Sequence, residues 1–236
     1  MSATSAAASL REAVTAALDA VTDPELDRSL VELGFAGAAV DGAGHVTVEL
    51  RLPTFWCAPN FAYLMVQDAH DAVARVPGVA SVSVRLVDHF AGEEISSGVA
   101  GGRSFDDAFD EAADGGGLDP LRRLFHVKAF TSRQEPLLRR LLREGRTPAE
   151  VARMRVSDLD EAHAGGREYL DKRRRLGLSV DPAAPLAVRP NGLPIAAEEL
   201  VPYLDRARVI RVSVEANTAF CSSMLATRYG KAELKE

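Results

Sequence analysis

The chain has 236 residues, a mass of 25.3 kDa, 47% hydrophobic and 26% charged residues, as expected of a globular protein with one large or two small domains. Its uncharged apolar runs are shorter than the roughly 18 residues of a transmembrane helix, so we expect no membrane partner. Cys57 and Cys221 are its two cysteines, too few for a disulfide framework or a self-contained zinc finger. Since no secretory signal is recognisable, we predict a cytoplasmic protein with reduced thiols.

The formal net charge of −6 is unevenly distributed along the chain. Residues 1–100 contain 5 basic and 13 acidic side chains, whereas residues 122–175 contain 15 basic and 8 acidic ones. This asymmetry predicts two modules of opposite charge, although solvated arginine-rich helix faces would give the same pattern.

The first ninety residues have the apolar periodicity of a small α+β domain. Helical spacing predicts two helices, and alternation between apolar and polar side chains predicts three strands. In chain order they are a helix, two strands, a helix and a strand, over residues 9–21, 35–40, 45–52, 59–76 and 79–87. We therefore predict an α-β-β-α-β domain over residues 9–90.

The rest of the chain has a different composition. Residues 91–119 are rich in glycine, serine, aspartate and alanine, which predicts a linker. Residues 120–236 predict a mainly helical extension, within which Thr147-Pro-Ala-Glu150 is a capping box. The alternating run Arg208–Val214 predicts one late strand in it. The predicted fold class is α+β, a small α-β-β-α-β domain followed by a mainly helical extension with a late strand.

Cys57 lies between the second strand and its following helix, in Thr54-Phe-Trp-Cys57-Ala-Pro59. At a helix N-terminus, backbone N–H groups and the helix dipole favour the thiolate, which is the nucleophilic and metal-binding form. Thr54 can hydrogen-bond the loop or the sulfur, and the loop with Asp23 and Glu25 can bring a carboxylate close. The pattern predicts a reactive or metal-binding thiol, but an ordinary buried cysteine beside aromatic side chains fits it as well.

This order of elements resembles the small α+β domain of the SufT, PaaD and MIP-eighteen-like iron–sulfur assembly proteins. The motifs that carry the resemblance are Asp23-Pro-Glu25, Leu33-Gly34, Thr54-x-x-Cys57 and Pro77-Gly-Val79. The resemblance implies that Asp23, Glu25, Thr54 and Cys57 form the characteristic site. It also implies transient handling of iron or an iron–sulfur cluster for a client metalloenzyme, rather than catalysis by this chain. Where the family has Cys-Pro, this chain has Cys57-Ala-Pro59, which shifts the helix start relative to the sulfur.

The extension resembles that of actinobacterial relatives that accompany soluble di-iron monooxygenases. This second resemblance implies a maturation factor dedicated to an iron enzyme of that class.

Cys221 repeats the local context of Cys57, because both follow a predicted strand in a Thr-x-aromatic-Cys sequence. Coincidence would explain the repeat. The sharper hypothesis is that the C-terminal segment folds back, or reaches the partner in a homodimer, so that both sulfurs face one site. Two thiolates with a carboxylate from Asp23 or Glu25 can hold iron or zinc. His70 and His89 are predicted to be exposed polar residues rather than ligands.

Two other functions fit parts of the sequence. The basic helices over residues 136–175 superficially resemble a helix-turn-helix that binds DNA. Arg155 at an expected core position, Gly165-Gly166 within the third helix and the acidic chain argue against nucleic acid as a partner. The other alternative is an interaction module that docks an enzyme subunit without binding any metal.

Overall fold

The computed structural model describes residues 3–109, 117–159 and 165–230. The first elements are α1 Ala3–Asp19, β1 Ala36–Val40, β2 His45–Arg51, α2 Pro59–Ala74 and β3 Ser81–Val87. The later ones are α3 Gly92–Ala100, α4 Phe105–Ala108, α5 Asp119–Arg143, α6 Pro148–Arg153, a 3-10 helix Val156–Asp158, α7 Gly166–Arg175 and α8 Ala197–Tyr229. The predicted α+β class, with an α-β-β-α-β domain and a helical extension, is confirmed. None of the described helices is both long and apolar enough to cross a membrane.

The three strands form one sheet in the order β1-β2-β3. β1 pairs antiparallel with β2, and β2 pairs parallel with β3. The alternation predicted for β2 is confirmed, because its apolar side chains Val46, Val48 and Leu50 are buried in the core of this domain. In register with them on β3 lie Val82, Val84 and Leu86.

The parallel pairing of β2 and β3 brings two loops to one edge of the sheet. Parallel strands end at the same edge, so residues 52–58 after β2 and residues 88–91 after β3 leave the sheet side by side. The first loop contains Cys57 and the second contains His89. This edge is where the candidate site lies.

The turn between β1 and β2 depends on glycine at position 44. Gly44 has φ +83°, and a Cβ there would lie 2.6 Å from the carbonyl oxygen of Gly78. The amide of Ala80 donates to the carbonyl oxygen of Gly44 at 2.8 Å. The turn therefore packs so closely on the chain before β3 that a side chain has no room.

The chain forms two compact units. The first consists of Met1–Arg122 and Thr218–Glu236, and the second of Arg123–Asn217. In the first unit α3 packs against α2 and β3, although it lies in the predicted linker, residues 91–119. The first unit thus extends beyond residues 9–90 and takes in the end of the predicted extension, residues 120–236.

The second unit is built from helices around a core that includes a polar network. The side chain of Gln134 donates to the Tyr169 hydroxyl at 2.9 Å and accepts from the Tyr203 hydroxyl at 2.8 Å. The predicted capping box at Thr147 and Glu150 is present.

Glu135 is 2% exposed and accepts from the guanidinium groups of Arg139 and Arg211, each at 2.7 Å. Both partners of this buried carboxylate belong to the same unit.

Half of the basic run Lys172–Arg175 is buried in the second unit. Lys172 is 9% exposed and Arg173 is 2% exposed. The guanidinium of Arg173 donates to the carbonyl oxygens of Pro185 at 2.8 Å and Leu186 at 3.2 Å. These two cations therefore serve the interior of the unit instead of forming an exposed basic surface. Arg155, which was expected at a core position, is exposed.

The predicted late strand at Arg208–Val214 is wrong, because these residues lie within α8. The alternation covers only seven residues, and the flanking sequence is rich in alanine and leucine, which favour helix. A helix satisfies its backbone hydrogen bonds internally, whereas a strand needs a neighbouring strand. The helical conformation leaves Val209 69% exposed and Val212 47% exposed.

Candidate functional site

The loop that carries Cys57 is held by the loop after β3. The amide of Phe90 donates to the carbonyl oxygen of Phe55 at 3.1 Å. The imidazole of His89 contacts the carbonyl oxygen of Cys57 at 2.7 Å through Nε2. His89 is only 8% exposed, so the prediction that it is an exposed polar residue is wrong. Its ring links the Cys57 loop to the loop after β3.

The hydrogen bonds of His89 define its tautomer. The amide of Ala91 donates to His89 Nδ1 at 3.2 Å, so Nδ1 carries a lone pair and Nε2 carries the proton that it donates to Cys57. Burial lowers the pKa of His89, and the nearby charge of Arg228 lowers it further, against the hydrogen bond to Cys57. The imidazole is therefore neutral at neutral pH.

Asp23 shapes the loop between α1 and β1. Its Oδ1 accepts from the amides of Glu25 and Leu26, each at 2.8 Å, and Oδ2 takes part in neither bond. The side chain is 8% exposed. Burial raises the pKa of Asp23 to about 6, with a smaller contribution from the charge of Glu25, although the two amides oppose the shift. The carboxyl group is thus held where its charge is poorly solvated.

Cys57 is half-buried immediately before α2, whose N-cap residue is Ala58. Burial raises the pKa of Cys57 to about 12, and the charges of Asp23, Cys221 and Glu25 contribute to this shift. The amide of Ala58 acts in the opposite direction, but it is outweighed. The predicted contribution of the helix N-terminus is therefore present, but burial and the anionic neighbours outweigh it, so the thiolate is not favoured overall. Cys57 is a neutral thiol at physiological pH.

Cys221 reaches this site from the far end of the chain. It lies on α8, four residues before Leu225, which in turn lies three residues before Arg228. Residues at these spacings share one face of a helix. Leu225 is 2% exposed and belongs to the hydrophobic core of the first unit, against which both cysteines pack. Burial raises the pKa of Cys221, as do the charges of Asp23 and Glu25.

The last turn of α8 is anchored to the ends of β2 and β3. The guanidinium of Arg228 donates to the carbonyl oxygens of Leu52 at 3.2 Å and Asp88 at 2.6 Å. The Tyr229 hydroxyl lies 3.1 Å from the Asp88 carboxylate. Arg228 and Tyr229 were not found by sequence reasoning, and no local motif marks them.

Of the predicted site residues, Asp23, Glu25, Cys57 and Cys221 are near enough for their charges to interact. Thr54 lies half-buried in the same loop as Cys57. Among the described residues, no group of three or more histidine, cysteine, aspartate or glutamate side chains is arranged to hold a metal ion. Cys57 and Cys221 are soft thiol donors whose pKa values respond to the charges of Asp23 and Glu25, and thiolate and carboxylate ligands of this kind suit iron or zinc.

Three exposed aromatic side chains border the Cys57 loop. Phe55 is 50% exposed, Trp56 is 70% exposed and Phe90 is 53% exposed. The rings of Phe55 and Phe90 are 6.2 Å apart, and Phe90 also stacks on His89 with the ring centres 4.9 Å apart. An exposed apolar patch is characteristic of an interaction surface.

Residues 11–84 match the family model described as iron–sulfur cluster assembly protein. This segment is therefore similar to iron–sulfur cluster assembly proteins. The matched segment, hereafter the assembly domain, contains Asp23, Glu25, Thr54 and Cys57 but ends before His89 and Cys221. The match supports a role in cluster assembly or maturation, and the family is one of assembly factors rather than of catalytic enzymes. No curated protein and no solved structure matches the chain significantly.

Proposed function

We propose that this protein is a maturation factor that receives iron or an iron–sulfur cluster at Cys57 and passes it to a client metalloenzyme. The observation that carries the proposal is the half-buried Cys57 thiol beside the Asp23 carboxyl group, both within the assembly domain. Metal or cluster is here the cargo. Asp23 and Glu25 are near enough for their charges to act on the sulfur that accepts it, and Thr54 belongs to the same loop.

The electrostatics of the site suit reversible loading. Without a cation, a thiolate at Cys57 is disfavoured by burial and by the negative charges around it. A cationic cargo removes this penalty, because it replaces the thiol proton and neutralises the surrounding charge. Binding therefore releases a proton, and cargo affinity rises with pH. A site that returns to a stable neutral thiol after the cargo leaves is suited to delivery rather than storage.

The client would contact the protein at the exposed aromatic side chains around Cys57. A client that takes cargo from this sulfur must cover the loop containing Phe55 and Trp56. The resemblance of the extension to companions of soluble di-iron monooxygenases makes such a hydroxylase the client that we propose. Its iron ligands would receive the cargo directly.

The experiment compares the wild-type protein with Cys57→Ser after anaerobic purification, by metal and sulfide analysis and by client activity after co-expression. We expect Cys57→Ser to lose bound iron and to leave the client inactive. His45→Ala is the matched control, because His45 is an exposed histidine at the start of β2, at the end of the strand away from the site. Full client activity with Cys57→Ser would contradict the proposal.

A second candidate function is supported by the same aromatic patch. Phe55, Trp56 and Phe90 are exposed together, which also fits a module that docks an enzyme subunit without cargo. Under this alternative, binding to the client would be weakened by Trp56→Ala and unaffected by Cys57→Ser. The maturation factor instead requires both residues for client activity.

A further inference from the structure

The end of α8 lies outside the assembly domain but contributes to its site. Cys221, Leu225 and Arg228 share the helix face that packs on the core of the first unit. Leu225 is buried there, and Cys57 and Cys221 pack against the same core cluster. The sequence left open whether Cys221 meets Cys57 within one chain or across a homodimer. Within one chain, both cysteines pack against this cluster, and they are near enough for the charge of Cys221 to act on Cys57.

Arg228 and Tyr229 fix the position of this helix end relative to the site loops. Arg228 donates to the carbonyl oxygens of Leu52, the first residue after β2, and of Asp88, the first residue after β3. Tyr229 adds a contact to the Asp88 side chain. Cys221 lies two helical turns before Arg228, so these bonds fix the helix from which Cys221 packs against the core that Cys57 also contacts.

We propose that Cys57 and Cys221 form a two-thiol site for a thiophilic divalent cation, or for the iron of a cluster, and that Arg228 is its positioning residue. The proposal rests on the proposed function and names its ligand set. On loading, two S–H bonds break, two metal–sulfur bonds form, and both protons go to the buffer.

Two sulfur ligands leave the coordination of the metal incomplete. Iron and zinc prefer four ligands in sulfur-rich sites, and the described residues supply no preformed cluster of three donors. The remaining positions are therefore open to ligands from the molecule that delivers the cargo or from the client. An incomplete shell of this kind permits a handover in which the new ligand binds before the old one leaves.

Titration of the reduced, full-length protein with Co²⁺ under anaerobic conditions tests the ligand set. Sulfur-to-cobalt charge-transfer absorbance reports thiolate ligation, and proton release is measured in parallel. Trp56 is the only tryptophan of the chain and adjoins Cys57, so its fluorescence reports binding independently. We expect Cys57→Ser and Cys221→Ser each to halve the charge-transfer absorbance and the proton release. We expect Arg228→Met to weaken Co²⁺ affinity by about tenfold, with partial recovery in Arg228→Lys.

The outcomes separate this inference from the proposed function. If only Cys57→Ser changes the titration, the two-thiol site is wrong and a Cys57-centred maturation site stands. If neither serine variant changes the titration, both the two-thiol site and the proposed maturation function are contradicted. His45→Ala should match the wild type.

A chemical test of proximity does not depend on metal binding or on the stability of a variant. Dibromobimane becomes strongly fluorescent when it bridges two neighbouring thiols. We expect the wild-type protein to give a fluorescent product of monomer mass in which Cys57 and Cys221 are linked. A product of dimer mass, or two singly labelled cysteines, would overturn the proposal.

Discussion

His89 donates from Nε2 to the carbonyl oxygen of Cys57 at 2.7 Å, while its Nδ1 accepts from the amide of Ala91. One neutral imidazole thus joins the two loops that leave the sheet at the same edge. Because Nδ1 must be unprotonated to accept, the bond from the Ala91 amide exists only above the pKa of the ring, whereas Nε2 donates to Cys57 in either protonation state.

Replacing His89 tests the link between the loops. In His89→Leu the Cys57 carbonyl and the Ala91 amide lose their partner, so we expect a loss of about 1–3 kcal/mol in the free energy of unfolding. His70→Leu is the control, because His70 lies on α2 and its side chain contacts only a neighbouring carboxylate among the bonds seen. Urea denaturation at pH 7.5 measures the free energy of unfolding of both variants.

The pH dependence of that variant follows from the lowered pKa of His89. The unfolded chain protonates the His89 imidazole more readily than the folded chain does. The wild-type protein therefore loses stability as the pH falls through about 6.5. In His89→Leu this component is absent, so its stability should fall less between pH 7.5 and 5.5. Equal slopes for the two proteins would contradict the account.

The contribution of Asp23 to the free energy of unfolding depends on pH in the opposite direction. Its pKa is raised to about 6 in the folded protein, so protonation favours the folded state, and stability from this group is lost as the pH rises through 6. Asp23→Asn retains an oxygen for the amides of Glu25 and Leu26. We expect it to raise the free energy of unfolding at pH 7.5 by roughly 2 kcal/mol.

The same variant should weaken the binding of Co²⁺, because a negative charge beside the thiols is removed. Greater stability together with weaker cation binding would identify a site whose charge is maintained at the expense of folding. Asp71→Asn, an exposed change on α2, is the control. A less stable Asp23→Asn protein with unchanged cation binding would refute this interpretation.

In the second unit, Glu135 is the residue whose charge should matter most for stability. It is buried between Arg139 and Arg211, so Glu135→Gln removes the charge, leaves one acceptor oxygen and turns an NH2 group towards one of the two guanidinium groups. We expect a loss of about 2–3 kcal/mol. Glu215→Gln is the matched control, since Glu215 also pairs with Arg211 but its side chain is 61% exposed, where ion pairs contribute about 0–1 kcal/mol. Thermal denaturation compares the two, and equal losses would be inconsistent with this reasoning.

Two glycines of the same turn give a paired test of backbone geometry. Gly44→Ala places a Cβ 2.6 Å from the Gly78 carbonyl oxygen at a φ of +83°, so we expect a loss of about 1–3 kcal/mol. Gly42→Ala meets nothing within 4 Å and should be neutral or stabilising by up to about 1 kcal/mol. Urea denaturation of both variants checks the difference in sign.

The sequence was sufficient for those features that depend on local periodicity. The alternation in β2 and the helix after Pro59 are seen in the structure because each element buries one apolar face. The alternation at Arg208–Val214 was misleading, because seven residues of period two cannot outweigh helix-forming flanks. A strand at these residues would have needed a neighbouring strand, which the local sequence does not specify.

The candidate site was predicted in its parts but not in its electrostatics. The local sequence placed Cys57 directly before a helix, and the Ala58 amide at that position does lower the pKa of the thiol as expected. The pKa of the thiol is nevertheless raised, since it depends on burial and on charges that the tertiary fold brings close. His89 and Arg228 were missed for the same reason, because their partners are backbone carbonyls distant in sequence.

The first unit is assembled from two stretches of chain that are separated by residues 123–217. During synthesis the ribosome therefore makes the sheet, the Cys57 loop and the whole second unit before it makes Cys221 and Arg228. A nascent chain carries a single thiol at this edge, and the second arrives only when α8 is finished. Cargo binding through both sulfurs would then be a property of completed molecules, which keeps iron away from unfinished ones.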